Sequence, residues 1–409
     1  MALNYLNVVG NTELVKQLNY AMIYRLIAQH SPISRIQLAE ISHLAPASIT
    51  KITKQLLKNN LIKEVDAQQS TGGRPAVSII VQTSLFQTIA IQFSRTDITI
   101  ELYDLDGKSS ISETYPLSDF TQRLAENYLL TIIDNFIQHH QTKIKKLIAI
   151  AIVMPGLIDA EKGVIKYTPH IKVNDWQISQ SINKKFATPC FIGNDVQSLA
   201  LAESYFGSTQ DTNDSILIRV HHGIGSGVII NQQLFVNYNQ SMGEIGHIHV
   251  DPLGERCHCG NFGCLENSVI NCSIESRAKR LIEQGYNTLL TLEQCHIKHI
   301  CQFAQQGDKL CTDLIRQAGK DLGYAVAMLI NLFNPQKIVI AGEISKSDQI
   351  LFPAIQSVLD SQALKVFRDS VKLSSSTLND CSAIGAFALV QQAMFSGRLL
   401  MDLLSDHTE

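Results

Sequence analysis

Three cysteines and one histidine in the middle of the chain have the types and spacing of metal ligands. Cys257, Cys259 and Cys264 fall within eight residues, and His247 precedes the first of them by ten. One imidazole and three thiolates form a closed tetrahedral set that suits structural zinc. Glycine recurs through the same segment and allows the chain to fold tightly around an ion. The sequence therefore predicts a Zn²⁺ site made by these four residues.

Two other interpretations of this segment are less favoured. A redox pair would have the Cys-x-x-Cys spacing, which does not occur here. His249 and His258 are alternative ligands that we rank below His247. The other six of the nine cysteines are scattered, and we expect them to be small buried residues: Cys190, Cys272, Cys295, Cys301, Cys311 and Cys381.

A second group of residues with a chemical role lies on one face of a helix predicted from Pro46 to about Asn59. When this helix is wound at about 100° per residue, Ile49, Ile52 and Leu56 share an inner face. The opposite face is small near its start and cationic along its length, and it holds Ala47, Thr50, Lys51, Lys54 and Lys58, with Ser48 and Gln55 on its flank. An ordinary solvated face is the alternative, but the shape and charge favour a DNA major groove. We expect the first two of the outward polar residues, Thr50 and Lys51, to read base edges and the last two lysines to hold phosphates.

The elements that position this helix begin with a first helix that carries one apolar stripe. The stripe is formed by Val15, Leu18, Met22 and Leu26. Pro32 ends the first helix, and Ser34 with Gln37 forms the capping box of a second helix that runs to about Ser42. Three helices with a tight turn before the third are typical of a helix-turn-helix.

A hairpin predicted after the third helix supplies a wing. Its strands are Leu61–Val65 and Ala76–Val81, and its tip is Ser70–Pro75. Arg74 projects from this tip, where it could enter a narrow, A·T-rich minor groove. Residues 1–82 thus form a predicted winged helix-turn-helix domain. Its expected DNA contacts are Arg35, Ala47, Ser48, Thr50, Lys51, Lys54, Lys58 and Arg74.

Composition and charge fit this organisation. The 409 residues are 45% hydrophobic and 17% charged, which is a globular composition with room for two or three domains. Residues 1–82 carry eight Lys/Arg and four Asp/Glu, which is a net charge of +4. Because the net charge of the whole chain is −3, the remaining residues carry −7. A basic head on an acidic body favours a polyanionic partner for the head. No apolar run approaches membrane-spanning length and Met1–Gly10 lacks a secretory pattern, so we expect a cytoplasmic protein associated with the nucleoid.

From about residue 87 strands are followed by helices, twice over. The predicted strands are Thr88–Phe93, Asp97–Tyr103, Leu147–Val153, Cys190–Gly193, Ser215–Val220, Gly227–Ile230 and Ile338–Ala341. Helices are predicted from Asp195 to about Phe206, from about Ile274 to Phe333, and from near Ser382. This pattern favours two α/β lobes with a cleft between them.

The segment from Gly246 to Glu266 resembles the Gly-His…Cys-x-Cys-Gly-x-x-Gly-Cys-Leu-Glu signature of the ROK family, which groups repressors and sugar kinases. The similarity extends over residues 87–395 and includes Pro155-Gly156, Asn194-Asp195, Gly223–Gly227 and Gly243–His247. The winged head is similar to the repressor branch. The resemblance implies an actin/hexokinase-like domain, with lobe I in residues 83–195 plus 382–409 and lobe II, with the zinc motif, in residues 196–381.

The resemblance also implies a sugar site. In the kinases of the family the sugar is held by the residues that match Asn194, Asp195, Glu244, His247 and Glu266. Carboxylates and amides are suitable partners for sugar hydroxyls. His247 would then place one ring nitrogen on zinc and the other on sugar. Each of these residues by itself could equally be a buried polar group that serves the fold.

Catalysis is not expected. The family's first phosphate loop, an Asp-x-Gly-Gly-Thr type run, should fall near residues 91–96, where the Asp and both glycines are missing and Gln92 and Phe93 are bulky. Asp195 matches the catalytic base of the kinases but would have no phosphoryl donor. The second glycine loop, with Gly223, Gly225 and Gly227, survives, and together with Arg95 it could hold the phosphate of a sugar 6-phosphate. A cation or backbone amides must then offset the charge of Asp195.

The resemblance to the repressor branch of the ROK family implies a repressor of amino-sugar uptake and catabolism genes that N-acetylglucosamine 6-phosphate releases from an A·T-rich palindromic operator. One alternative is a glucose-responsive repressor captured by a membrane sugar transporter. The other is an active sugar kinase with an accessory head. Symmetric operators favour a homodimer or homotetramer.

Overall fold

The computed structural model describes residues 11–66, 77–118, 120–169, 171–237, 242–378 and 382–405. The chain divides into two compact units, one formed by Ala2–Gly193 with Ala386–Glu409 and the other by Asn194–Gly385. Each unit contains its own five-stranded sheet, and the first also contains a small three-stranded sheet near the N-terminus.

The N-terminal domain is a winged helix-turn-helix. Its elements are α1 (Thr12–His30), β1 (Ile33–Ser34), α2 (Arg35–Ser42), α3 (Pro46–Lys58), β2 (Ile62–Val65) and β3 (Ser78–Val81). The predicted capping box is present, because Ser34 Oγ accepts from the Gln37 amide and the Gln37 side chain accepts from the Ser34 amide. The two wing strands pair antiparallel, and β1 adds a third strand that the sequence did not predict.

The apolar stripe predicted for α1 was wrong. The buried residues of this helix are Tyr20, Ala21, Ile23, Tyr24 and Ile27, whereas Val15 and Leu18 are exposed. The helix is apolar on more than one side, so its periodicity admits two stripes, and the stripe with the tyrosines buries more surface. The hydroxyl of Tyr20 donates to the side chain of Gln55 and thereby ties α1 to α3.

The sheet of the first unit has the order β10-β7-β4-β5-β6. Its elements along the chain are β4 (Gln87–Phe93), β5 (Asp97–Asp104), β6 (Ser109–Pro116), α4 (Gln122–His139), β7 (Leu147–Met154), β8 (Leu157–Asp159), β9 (Val164–Tyr167), α5 (Ile178–Phe186) and β10 (Cys190–Asn194). Strand β4 pairs antiparallel with β5 and parallel with β7, and every residue of β4 is buried. Strand β6 and helix α4 were not predicted from the sequence.

The second unit repeats this strand order as β15-β14-β11-β12-β13. Its elements are α6 (Asp195–Phe206), β11 (Ser215–Val220), β12 (Ile224–Ile230), β13 (Gln233–Leu234), α7 (Glu266–Val269), α8 (Asn271–Glu283), α9 (Ile297–Gln305), α10 (Lys309–Phe333), β14 (Lys337–Ala341), α11 (Asp348–Gln362), α12 (Lys365–Arg368) and β15 (Lys372–Ser375). In each unit three consecutive strands form an antiparallel meander, and the first strand of the meander pairs on its other side with a parallel strand. The predicted pair of α/β lobes is therefore present.

Two C-terminal helices, α13 (Ile384–Phe395) and α14 (Arg398–Ser405), pack on the first sheet and on the head. The ring of Phe387 stacks on Tyr103 of β5 at 5.0 Å, and Phe395 lies 6.3 Å from the buried ring of Tyr24 in α1. The Gln17 side-chain amide donates to the Ser396 carbonyl over 3.0 Å. In the described part of the chain no single helix is long and apolar enough to span a membrane, and α13 with α14 meets that requirement only as a pair bent by 68°.

This docking predicts that Gly397 tolerates no side chain. Gly397 has φ +81°, and a Cβ there would lie 2.6 Å from Gln17 Cγ, 3.0 Å from the Gln17 carbonyl oxygen and 3.3 Å from Ala21 Cβ. We expect Gly397→Ala to lower the free energy of unfolding of its unit by about 2–4 kcal/mol, through left-handed backbone strain together with overpacking. Gly285→Ala is the control, because Gly285 has φ +84° with nothing within 4 Å, and it should cost about 1–2 kcal/mol. Urea denaturation measures both, and equal losses would show that the contact with α1 contributes nothing.

Candidate metal, sugar and DNA sites

The four predicted metal ligands lie together in the second unit. Their ligand atoms are all within 4.8 Å of one another. The Cys257 Sγ lies 3.7 Å from His247 Nδ1, and the Cys259 Sγ lies 3.7 Å from the Cys264 Sγ. Tetrahedral bonds of about 2.3 Å from zinc to sulfur would separate two sulfurs by about 3.8 Å. The four side chains can therefore hold a metal ion of this geometry, with His247 Nδ1 as the nitrogen ligand.

Glycines make the tight loop around this site possible. Gly263 has φ +64°, and a Cβ there would lie 1.8 Å from the Asp251 carbonyl oxygen. A Cβ on Gly254 would lie 2.6 Å from the Cα of Gly263. The Cys257 amide donates to the Asn261 carbonyl over 2.7 Å and closes the turn. Both glycines are therefore required by close backbone approach, as the sequence predicted.

The thiols in this group differ in acidity. Burial raises the pKa of the Cys264 thiol to about 12, whereas a backbone hydrogen bond at Asn261 lowers the pKa of Cys259. A thiol with a pKa near 12 stays protonated at neutral pH unless a positive charge stabilises its thiolate. A coordinated metal ion would supply that charge and stabilise the thiolate.

The two alternative histidine ligands lie outside the set of four. His249 Nδ1 is 2.8 Å from the Phe262 carbonyl oxygen, which occupies that ring nitrogen. His258 Nδ1 lies 3.3 Å from Glu266 Oε1 and 3.7 Å from Cys257 Sγ. His258 is thus placed beside the metal ligands and pairs with a carboxylate.

The expectation that the other cysteines are buried holds for three of them. Cys295, Cys301 and Cys311 are buried, and Cys190 is half-buried. Cys272 is exposed, which contradicts the expectation, because it lies in the first turn of α8 on the side away from the buried residues Ile274 and Ala278. Cys381 lies outside the described residues.

Two predicted sugar-binding residues lie where β10 ends and α6 begins. Asn194 is the N-cap of α6, and its side-chain oxygen accepts from the amides of Val196 at 3.0 Å and Gln197 at 3.1 Å. Asp195 is the first residue of the helix, where the helix dipole stabilises a negative charge. The N-terminal end of α6 therefore fixes both side chains.

The three other predicted sugar-binding residues lie in the same neighbourhood. Glu266 is the first residue of α7 and follows the last cysteine of the metal site by two positions. Its carboxylate lies beside the backbone of Gly246, because a Cβ placed on Gly246 would be 3.1 Å from Glu266 Oε2. Desolvation raises the pKa of Glu244, the charges of Glu266 and Asp195 raise it further, and His247 lowers it. The charges of Asp195, Glu266 and His247 therefore all act on Glu244, which places these four side chains in one group. Their binding of a sugar stays a prediction.

Sequence reasoning missed a cation in this group. Arg219 of β11 donates through Nη1 to Asp195 Oδ2 at 2.7 Å, and the two side chains are 12% and 10% exposed. Arg219 lies directly opposite Gly225 in the pairing of β11 with β12. No motif marks this arginine, because its position depends on the register of two strands and the approach of α6.

The glycine loop predicted to bind phosphate has a structural role at two of its positions. A Cβ on Gly225 would lie 3.3 Å from Val196 of α6, and a Cβ on Gly227 would lie 2.5 Å from Ala200 Cβ. These two glycines let α6 pack closely on β12. Among the described residues, a Cβ on Gly223 would meet only the Glu266 carboxylate, at 3.8 Å. Phosphate binding by this loop stays a prediction.

The position expected for the family's first phosphate loop is the turn between β4 and β5. Ser94 Oγ accepts there from the amides of Thr96 at 3.2 Å and Asp97 at 3.1 Å, so these amides serve the turn itself. Gln92 and Phe93 are buried in β4, and Arg95 is exposed in the turn.

The outer face of α3 has the predicted arrangement. Ile49, Ile52 and Leu56 are buried, whereas the outward residues Ala47, Thr50, Lys51, Lys54 and Lys58 are exposed and Ser48 is half-buried. The Thr50 hydroxyl donates to the Pro46 carbonyl over 2.9 Å, which fixes its rotamer.

Arg35 differs from these residues because it is engaged inside the head. Its Nε donates to Thr53 Oγ1 at 3.0 Å, and its Nη2 lies 2.7 Å from Glu64 Oε1. A DNA contact by Arg35 would compete with these partners. Arg74 and the rest of the wing tip lie outside the described residues.

The fold and the site define the class of protein. The ROK family model matches residues 88–393 and the MarR family model matches residues 21–66, so the chain belongs to the ROK family and carries a MarR-like winged helix-turn-helix ahead of its actin/hexokinase-like domain. It is 53% identical over 398 residues to the DNA-binding transcriptional dual regulator NagC of Escherichia coli (strain K12), which covers 97% of this chain and 98% of that one.

A second relative and a solved structure extend over the same length. The chain is 35% identical over 400 residues to the DNA-binding transcriptional repressor Mlc of Escherichia coli (strain K12), with 97% of this chain and 98% of that one covered. The crystal structure of a ROK family transcriptional regulator, described as a homolog of the E. coli MLC protein, superposes with a TM-score of 0.90 at 38% identity and covers 96% of this chain and 99% of that one.

Proposed function

We propose that this protein is a DNA-binding transcriptional repressor of amino-sugar uptake and catabolism genes, which N-acetylglucosamine 6-phosphate releases from its operator. The observation that carries the proposal is the 53% identity to NagC over nearly the whole of both chains. That identity spans the head and the sugar-kinase-like domain together, so it concerns the combination of a DNA-reading part with a ligand-binding part.

The head supports the DNA side of the proposal. Helix α3 presents exposed Thr50, Lys51, Lys54 and Lys58 on the face opposite its buried residues. Thr50 and Lys51 read base edges in this proposal, and Lys54 and Lys58 hold phosphates. A helix-turn-helix reads one half-site, so the protein acts as a homodimer or homotetramer on a palindromic, A·T-rich operator.

The second unit supports the ligand side. Its carboxylates accept hydrogen bonds from sugar hydroxyls, and His247 uses Nδ1 toward the metal site and offers its other ring nitrogen to the sugar. The metal ion is Zn²⁺ in this proposal, because three thiolates and one imidazole in a tetrahedral arrangement suit zinc. Zinc fixes the loop that leads directly into Glu266 and has a structural role.

The turn between β4 and β5 favours binding over catalysis. Ser94 already accepts from two of the backbone amides that a phosphate would need there, and no glycine occurs at residues 91–96. Asp195, which matches the base of the kinases, is paired with Arg219 at 2.7 Å, so one of its carboxylate oxygens is already engaged.

Chain connectivity offers a route from ligand to DNA. The chain passes between the two units at Gly193–Asn194, beside the sugar residues, and at Gly385–Ala386 inside α13. The far end of α13 contacts α1 of the head through Phe395. The ligand acts by binding more tightly to the state in which the heads are poorly placed for the operator.

The experiment is a fluorescence anisotropy titration of an A·T-rich palindromic operator from an amino-sugar locus at one fixed salt concentration. We expect tight binding that weakens when N-acetylglucosamine 6-phosphate is added, and no effect of glucose 6-phosphate.

Because the chain is also 35% identical to Mlc, the second candidate is a repressor captured by a membrane sugar transporter. Operator binding that the sugar phosphate does not change, but that is lost when transporter-bearing vesicles are added, would favour this second candidate. Absence of specific DNA binding together with sugar-dependent ADP release would favour a kinase.

A further inference from the structure

The charge of the ligand-binding group poses a problem for a phosphorylated ligand. Three carboxylates, Asp195, Glu244 and Glu266, lie close enough that the charges of two of them raise the pKa of the third, Glu244. A phosphate monoester carries close to two negative charges at neutral pH and is repelled by such a group. A free sugar is neutral and needs only hydrogen-bond acceptors. A site built for the phosphorylated form must therefore offset this charge with backbone amides or a well-placed cation.

Arg219 fulfils this requirement by its geometry. It lies on the central strand β11, between β12 and β14, so its backbone is fixed on both sides by pairing with Gly225 and Ala341. Side chains directly opposite each other in an antiparallel pair point to the same face of the sheet. The face at Gly225 is the one against which Val196 of α6 packs, and there the guanidinium meets Asp195 at 2.7 Å.

The pairing of Arg219 with Asp195 is not what a site for a neutral sugar needs. A guanidinium bonded to a carboxylate takes up an acceptor that sugar hydroxyls would use. A guanidinium can, however, serve two anions at once, because it carries five N–H donors in a planar fork and binds phosphate in a bidentate manner. The arginine holds Asp195 in place and offsets its charge toward a second anion.

We propose that Arg219 is a ligand-binding residue that makes this site select a sugar 6-phosphate over the free sugar, by bridging the phosphate and the Asp195 carboxylate. This assignment rests on the proposed function and names the residue that sets its ligand class. Arg219 was predicted by no sequence motif, and it supplies the positive charge that the glycine loop, packed against α6, does not have.

Calorimetric titration of N-acetylglucosamine 6-phosphate and of N-acetylglucosamine into the full-length protein tests the assignment. For Arg219→Gln we expect the affinity for the sugar phosphate to fall about 10- to 100-fold, the effect of losing a charged hydrogen-bond donor, with less than about 3-fold change for the free sugar. Arg219→Lys keeps the charge without the planar fork and should recover part of the loss. Lys337→Gln is the control, because Lys337 pairs with Asp211 at 2.9 Å in the same sheet; it should leave the ratio of the two affinities unchanged.

A double variant separates a phosphate contact from simple neutralisation of Asp195. If Arg219 only neutralises that carboxylate, Asp195→Asn in the Arg219→Gln background restores the affinity for the sugar phosphate. If Arg219 contacts the phosphate, the double variant stays weak for the phosphate relative to the free sugar. Equal weakening for both ligands in Arg219→Gln, or restoration in the double variant, would overturn the assignment and leave the proposed function standing. Wild-type protein that binds the free sugar as tightly as the phosphate, or binds neither, would overturn the proposed ligand and this assignment with it.

Discussion

Replacement of Cys257 by serine is expected to remove the bound metal ion and, with it, measurable binding of N-acetylglucosamine 6-phosphate. Cys257 is buried, and its Sγ lies 3.7 Å from His247 Nδ1 within the group of four ligands. A bound ion would organise the loop that runs from His247 into Glu266, both of which are predicted sugar contacts. Structural zinc contributes on the order of 10 kcal/mol to folding in small zinc domains, so its loss should disorder this loop. Zinc content by elemental analysis and ligand affinity by calorimetry measure the two effects.

Cys272→Ser is the matched control for this experiment. Cys272 is exposed on α8 and lies outside the group of four. We expect this variant to keep about one zinc ion per chain and unchanged ligand affinity. A Cys257→Ser protein that retained both zinc and ligand binding would contradict the assignment of the metal site. A Cys257→Ser protein that lost zinc but still bound the ligand would show that sugar binding does not depend on the metal.

The second large effect is expected on the outer face of α3. A Thr50→Ala, Lys51→Ala double variant should lower the ratio of specific to non-specific DNA affinity about 10-fold or more, because these residues are assigned to base edges. Lys54→Ala should instead weaken binding to all sequences alike and reduce the dependence of log affinity on log salt by about 0.9, the effect of one lost phosphate contact. Titrations of operator and random duplexes at several salt concentrations measure both quantities.

Lys16→Ala controls for loss of a positive charge in the head. Lys16 is an exposed residue of α1 that pairs with Glu13 at 3.3 Å. It should change neither the affinity ratio nor the salt dependence. If Lys16→Ala behaved like Lys54→Ala, the lysines of α3 would act through net charge alone and the assigned docking face would be wrong.

The cluster of four possible metal ligands and the two faces of α3 were predictable because their information is local in sequence. The four ligands fall within 18 residues, and ligand types and spacing suffice to identify such a group. The inner and outer faces of α3 follow from helical periodicity, since Pro46 fixes where the helix begins. The capping box of α2 is equally local and was confirmed.

Features that depend on long-range packing were not predictable in the same way. The pairing of Arg219 with Asp195 joins a strand to a helix that precedes it by 24 residues, and it requires the register of β11 on β12. The buried face of α1 was predicted wrongly because apolar residues occur on both sides and tertiary contacts select one of them. The contact of Gln17 with Ser396 spans 379 residues and follows no local pattern.

The central claim is that one chain couples a sugar-phosphate site to a DNA-reading head, and reciprocal binding tests it most directly. N-acetylglucosamine 6-phosphate is titrated by calorimetry into the free protein and into its complex with the operator, at the same salt concentration. Thermodynamic linkage requires the operator to weaken ligand affinity by the factor by which the ligand weakens operator affinity, which we expect to be about 5- to 150-fold. Equal ligand affinity for the free protein and the complex would show that the two sites are not coupled and would contradict the account.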